Sequence, residues 1–215
     1  MTDRLPLAGL PPVARWAVLG GAALLVLLVA IAAVWGWLQH RDASARQSYA
    51  AASAAYREAT GATAPEGQLA DAEKALKQFL KDHPRSAQAA QAWYLLGNLE
   101  YRREAHDAAL AAFGEAARRD PATIGILSRL GAGYAWEAKK DPGRALQAYQ
   151  DALKDRGSKD FLYAEALLGV ARAQEQLTQT PAAIETYRRL LKEVPSSPRA
   201  EEARSRLAIL GAAAA

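Results

Sequence analysis

AAQAWYLLGNLEYRREAHDAALAAFGEAARRDPAT, residues 89–123, is the stretch whose spacing decides the fold. Trp93, Leu96 and Gly97 fall on one face of a first helix, and Ala109, Phe113 and Ala116 on one face of a second. Glycine inside a helix costs about 1 kcal/mol relative to alanine. Gly97 and Ala109 therefore read as small residues that let two antiparallel helices approach closely, with Phe113 filling the space beside them. Pro121 stops the second helix and can open the next. A hairpin of this kind cannot bury its apolar face alone, so copies are expected on either side.

The copies are present. The segment LADAEKALKQFLKDHP, residues 69–84, carries Ala72, Leu76, Phe79 and Pro84 in the second-helix pattern. After Pro121 come Leu127, Leu130, Gly131 and Tyr134 in a first helix, then Ala145, Tyr149 and Ala152 in a second, across a lengthened turn at Lys140 to Gly143. A further copy holds Leu168 and Gly169, then Ala183, Tyr187, Leu190 and Pro195, after a lengthened connection from Asp155 to Asp160. The last helix, Pro198 to Leu210, has Arg204 where Trp93 stands, and a polar final helix caps a stack of hairpins against water. The W-x-x-L-G, A-x-x-x-F and P spacing resembles the tetratricopeptide repeat, with the aromatic expected at Glu100 displaced to Tyr101. The expected fold is all-α, a solenoid of about four hairpins and a capping helix, preceded by one apolar helix.

That apolar helix is Ala17 to Leu38, which contains no charged residue. At about 1.5 Å per residue it spans about 33 Å, close to the roughly 30 Å hydrocarbon core of a bilayer. Trp16 stands at one end and Trp35 and Trp37 at the other, as an interfacial aromatic belt requires. Ala43, Ser44 and Ala45 could form a cleavage site, but the apolar run exceeds that of a signal peptide and His40, Arg41 and Asp42 intervene, so an uncleaved anchor is the reading. Arg4 and Arg15 precede the segment while Arg41, Arg46 and Arg57 follow it, so charge does not set the orientation. The usual arrangement of a signal anchor puts the short tail inside. The expected organisation is a tail at 1–16, a membrane helix at 17–38, a stalk and first-repeat helix at 39–64 that Gly61 and Pro65 interrupt, and a repeat domain at 65–215.

Chemistry is sparse. The 215 residues include no cysteine, which excludes disulfides, thiolate metal sites and attachment of lipid to cysteine. Lys and Arg number 27 against 23 Asp and Glu. The basic pairs Arg102-Arg103, Arg118-Arg119, Lys139-Lys140 and Arg188-Arg189 fall near helix ends, where the helix dipole favours cations. His40, His83 and His106 lack the spaced partners of a metal site, and neither a phosphate loop nor a nucleophile elbow is present. No enzymatic activity, cofactor, metal, nucleic acid or small-molecule substrate is expected. What the fold offers instead is a concave groove lined by the first helices, with Tyr94, Asn98, Tyr101, Arg102, Ser128, Trp136, Tyr163 and Gln174 at the positions that usually face it. Aromatic and Arg side chains are the types that anchor protein partners.

The repeats, with HPRSAQAAQAWYLLG at 83–97, resemble those of bacterial envelope proteins such as the outer-membrane assembly lipoprotein and the cell-division coordinator of the Tol system. The whole layout is similar to the membrane-anchored ancillary subunit of the SecYEG translocon, in which a short tail, one membrane helix and an aromatic, Gln/His and Asp-Ser/Ala-Arg stretch precede tetratricopeptide-like hairpins. The corresponding residues here are Trp35, Trp37, Gln39, His40, Asp42, Ala43, Ser44, Ala45 and Arg46. That resemblance implies a bacterial inner-membrane protein with a cytoplasmic amino terminus and periplasmic repeats that contact translocon subunits and periplasmic chaperones. The alternative it leaves open is a scaffold for envelope assembly or division. Repeat proteins that clamp a carboxylate need Lys and Asn in the groove, and here Asn98 is present but Tyr94 stands in the Lys position.

Overall fold

A computed structural model describes residues 11–61, 67–154 and 156–213. Arg4, Pro65 and Asp155 lie outside the described residues, as do the first part of the tail and the link at 62–66. Among the described residues every regular element is a helix: α1 (Pro12–Ala59), α2 (Gly67–Asp82), α3 (Ala89–Arg102), α4 (His106–Arg119), α5 (Ile124–Ala138), α6 (Pro142–Leu153), α7 (Tyr163–Gln176), α8 (Thr180–Glu193) and α9 (Ala200–Ile209). The chain divides into two compact units, one ending at Gln47 and the other beginning at Ser48.

In the first unit α1 is long and apolar enough to cross a membrane. The successive side chains Leu24, Leu25, Val26, Leu27, Leu28 and Val29 are all exposed, and six consecutive helical positions cover every face. Trp35 and Trp37 are exposed as well, and the Arg41 guanidinium lies 5.3 Å from the Trp37 ring.

In the second unit the last turns of α1 serve as the first helix of the first hairpin. Ala52 is buried with Leu76, Phe79, Leu80, Ala92 and Leu96, and Ala59 with Ala72 and Leu99. The remaining hairpins pair α3 with α4, α5 with α6 and α7 with α8, and α9 closes the stack against α8. The small residues do what their spacing predicts. A Cβ on Gly97 would stand 2.6 Å from the Phe113 ring, and one on Gly131 2.5 Å from its far edge, so Phe113 is seated between two first helices. Tyr149 is held in the same way by Gly133 and Gly169, at 2.3 and 2.7 Å. Leu96, Ala109, Ala116, Ala145, Ala183 and Tyr187 are buried, Trp93 is half-buried, and Pro121 and Pro195 lie exposed just beyond the second helices they follow.

Helices α3, α5 and α7 end in the same turn. Glu104, Lys140 and Thr178 adopt φ of 61°, 59° and 59°, and the next residue's N–H reaches back to the carbonyl of Glu100, Trp136 and Gln174 respectively. This is a Schellman ending, whose left-handed position favours glycine. Helix α9 ends likewise, with Gly211 at φ 69° and the Ala212 N–H on the Leu207 carbonyl, which marks it as a first helix without a second. Thr178 is β-branched and poorly suited to that conformation. Thr178→Gly is expected to stabilise the protein by about 1 kcal/mol in denaturant titrations, whereas a loss of stability would show that the Thr178 side chain contributes more than its backbone costs.

One helix position departs from the expected pattern. Glu100 is buried at 5% exposure, and its carboxylate meets Lys77 Nζ at 3.2 Å. The displaced aromatic, Tyr101, is half-buried against His106 with ring centroids 5.6 Å apart. An ion pair to α2 thus fills the space where the repeat pattern expects a ring.

Candidate protein-binding groove

Direct contact between alternate helices occurs among the first helices, α3 with α5 and α5 with α7. In a curved stack the inner row is the more closely spaced one, so the first helices line the concave side.

On that side the structure gathers Tyr94, Asn98 and Arg102 of α3 around Tyr56 of α1. Asn98, Tyr94 and Arg102 all lie close enough to the Tyr56 hydroxyl to act on its ionisation. Burial, with Tyr94 nearby, raises the Tyr56 pKa, against the opposing effects of Asn98 and Arg102. The Tyr94 ring packs on Phe113 with centroids 6.0 Å apart, so it is fixed from below. Exposed Arg102 donates to the Thr60 carbonyl at 3.1 Å. Two aromatic rings, an amide and a guanidinium offer apolar surface together with donors for peptide carbonyls or carboxylates. Tyr56 lies in the stretch at 39–64 expected as stalk and first-repeat helix, but it is not among the groove positions read from the spacing.

The other expected groove residues separate. Ser128 is 1% exposed and Tyr163 3%, so neither offers a surface, contrary to their assignment from position. Ser128 has a side chain too short to clear its neighbours. Tyr163 turns toward α8, where its hydroxyl donates to Glu193 and accepts from Arg189 at 2.6 Å. Gln174 is occupied by Thr186, whose hydroxyl donates to it at 2.8 Å. Trp136 is half-buried under Arg144, 4.1 Å from its ring, with Lys139 at 5.3 Å. Tyr101 sits on His106 at the turn into α4 rather than with Tyr94. The described residues contain no group of three His, Asp or Glu placed to hold a metal.

A polar seam that the sequence reading missed runs through the C-terminal hairpins. The Tyr149 hydroxyl donates to Glu137 at 2.8 Å, and Arg172 of the following first helix donates to the same carboxylate at 3.0 Å. One repeat on, Glu175 accepts from Tyr187 and from Arg206. Tyr134 and Arg199 meet on Glu165. In each of the first two sets a Glu twelve residues before the second-helix Tyr is paired with an Arg from the next first helix. That recurrence was the available signal.

The seam makes stability depend on pH at both ends of the scale. Burial, then the adjacent carboxylates, raise the pKa of Tyr134, Tyr149 and Tyr187. Their contribution is fully present below the ordinary tyrosine range, about pH 10, and is lost above it as the unfolded chain ionises and the folded chain does not. For Glu175, burial opposes ionisation but hydrogen bonds from Arg206 and Tyr187 outweigh it and lower the pKa. That contribution is present above the ordinary glutamate range and is lost as pH falls through the folded value. The melting temperature is expected to fall on both sides of neutrality, with Tyr149→Phe flattening the alkaline limb. An alkaline limb unchanged by Tyr149→Phe would remove this hydroxyl from the account.

The comparisons agree with this architecture. The family described as Tetratricopeptide repeat matches residues 66–122 and 131–198. No curated protein matches. Among solved structures, a tetratricopeptide repeat protein from Parabacteroides merdae superposes with a TM-score of 0.61 at 20% identity, over 77% of this chain and 60% of its own. The MamA protein gives 0.52 at 19% identity, over 65% of this chain and 68% of its own. The MamA RS-1 ArsTM double mutant gives 0.56 at 14% identity, over 75% and 84%. At these identities the likeness is one of fold. With the family match covering more than half of its length and the glycine-seated aromatics in place, the chain belongs to the tetratricopeptide repeat family, whose domains bind other proteins.

Proposed function

We propose that this protein is a single-pass membrane scaffold whose groove holds a segment of a partner protein through Tyr56, Tyr94, Asn98 and Arg102. The observation that carries the reading is the presence, in one chain, of an exposed apolar run in α1 that is long enough to cross a membrane and a repeat domain whose inner face presents fixed aromatic rings beside a guanidinium. Residues 17–38 cross a bacterial inner membrane, 1–16 lie on the cytoplasmic side, 39–64 form the stalk and first-repeat helix, and the repeats at 65–215 face the periplasm. The layout resembling the SecYEG ancillary subunit supports translocon subunits and periplasmic chaperones as partners.

Crosslinking in native membranes followed by mass spectrometry tests the partner. Translocon subunits among the adducts agree with the reading, whereas outer-membrane assembly factors or division proteins in their place would move the scaffold to envelope assembly or division. Orientation has its own expected result. Protease added to cells with a permeabilised outer membrane is expected to digest the chain after about Arg41, outside the apolar segment that a bilayer of about 30 Å protects. A repeat domain that stays intact until the inner membrane is lysed would overturn the periplasmic assignment.

A further inference from the structure

The first unit carries charged residues just past its apolar run that the groove does not use. Three helical positions beyond Leu38, the end of that run, stands Arg41, and Asp42 follows it. At about 1.5 Å per residue they lie about 4.5 and 6 Å past the run, within the layer of about 5 to 7 Å that headgroups add on each side of the hydrocarbon core. Arg46, at about 12 Å, lies beyond that layer. The Arg41 and Asp42 side chains are 48% and 56% exposed and approach each other to 3.7 Å. That is attraction without a hydrogen bond, and among the described residues neither side chain makes one. The Trp37 ring, 5.3 Å from the guanidinium, covers one face of the cation and leaves its N–H edges free. A cation and a carboxylate side by side cancel in net charge, so this pair does not select an anionic lipid. It matches a headgroup that itself carries both signs.

We propose that Arg41 and Asp42, backed by Trp37, form a site for a phospholipid whose headgroup ends in a primary ammonium, as in phosphatidylethanolamine. The proposal rests on reading 17–38 as a membrane span, and what covers the site is then the bilayer itself. Arg41 donates to the lipid phosphate, in the paired geometry that a guanidinium favours. Asp42 accepts from the ammonium, which carries three N–H donors. Phosphatidylcholine offers the same phosphate, but its quaternary ammonium has no N–H. Phosphatidylglycerol brings no cation for Asp42. The Trp37 face that could attract a choline group is taken by Arg41.

The test places the full chain in nanodiscs made from equal parts of dioleoyl phosphatidylethanolamine, phosphatidylcholine and phosphatidylglycerol, and reads the lipids retained on the protein by native mass spectrometry. Phosphatidylethanolamine is expected to exceed phosphatidylcholine among the adducts at least about threefold, the fold-change of one net hydrogen bond. Asp42→Ala is expected to bring those two lipids to parity and to raise phosphatidylglycerol, because the repelling carboxylate is gone. Arg41→Gln is expected to lower retention of all three. Arg46→Gln is expected to change nothing, since it lies above the headgroups. The proposal is overturned by equal retention of phosphatidylethanolamine and phosphatidylcholine in the unaltered chain, by a preference that survives Asp42→Ala, or by an Arg46→Gln effect as large as that of Arg41→Gln. Protease protection of residues 17–38 in the same nanodiscs separates the two readings. Parity with the segment protected overturns the headgroup site and leaves the membrane anchor standing, whereas loss of protection overturns both.

Discussion

Phe113→Ala is expected to destabilise the repeat domain by about 3 to 5 kcal/mol, the range for removing a buried aromatic ring. The cost should fall at the high end, because Phe113 is 2% exposed and its cavity would open between two first helices that glycines have drawn together. Backbones cannot close that gap without breaking their contacts with α4. Denaturant titration with circular dichroism measures the loss. A reciprocal change sharpens the reading. Gly97→Ala puts a methyl 2.6 Å from the ring and should cost about 1 to 3 kcal/mol by overpacking, yet combined with Phe113→Leu it should cost less than the two changes summed. Strict additivity would mean that the ring and the glycine do not share the space assigned to them.

Glu137→Ala carries the second large effect, about 2 to 3 kcal/mol. It leaves the fully buried Tyr149 hydroxyl without its acceptor and Arg172 without the nearest of its carboxylates. The value stays below that of a completely buried pair because the Arg172 side chain keeps 25% of its exposure and water can reach it. Glu137→Gln retains an acceptor for Tyr149 and should lose about half as much. Equal losses for Ala and Gln would assign the whole effect to charge.

The parts of this fold that sequence reveals are those set by one helix face at a time. Trp93, Leu96, Gly97, Ala109 and Phe113 are legible because the small residues recur at helical spacing and one aromatic must fill the space they leave. Gly131 and Gly169 repeat the same logic. The groove is less legible because a position that faces inward does not guarantee a side chain that reaches solvent. Tyr94 and Ser128 hold equivalent positions, yet the ring clears its neighbours while the hydroxymethyl is covered. Tyr163 was lost to a partner on α8 that no periodicity within α7 encodes. The seam of Glu137, Tyr149 and Arg172 depends on pairs across turns and repeats, so it appears only when two hairpins are superposed. Tyr56 lies in the stretch expected as stalk and first-repeat helix, yet its groove position is not legible because that helix is continuous with the apolar part of α1 and lacks the W-x-x-L-G spacing that places the other first helices.

The most direct test of the central claim places a photo-crosslinking amino acid at Arg102 in the full-length protein in native membranes, with exposed Gln150 on α6 as the comparison. Both sites tolerate replacement, because neither side chain is buried, so melting should be unchanged. The account predicts a discrete protein adduct from position 102 that Tyr94→Phe with Asn98→Ala weakens, and none from position 150. An adduct from position 150 with none from 102 would contradict it, because the partner would then dock on the second helices and the inner face would not be the binding surface.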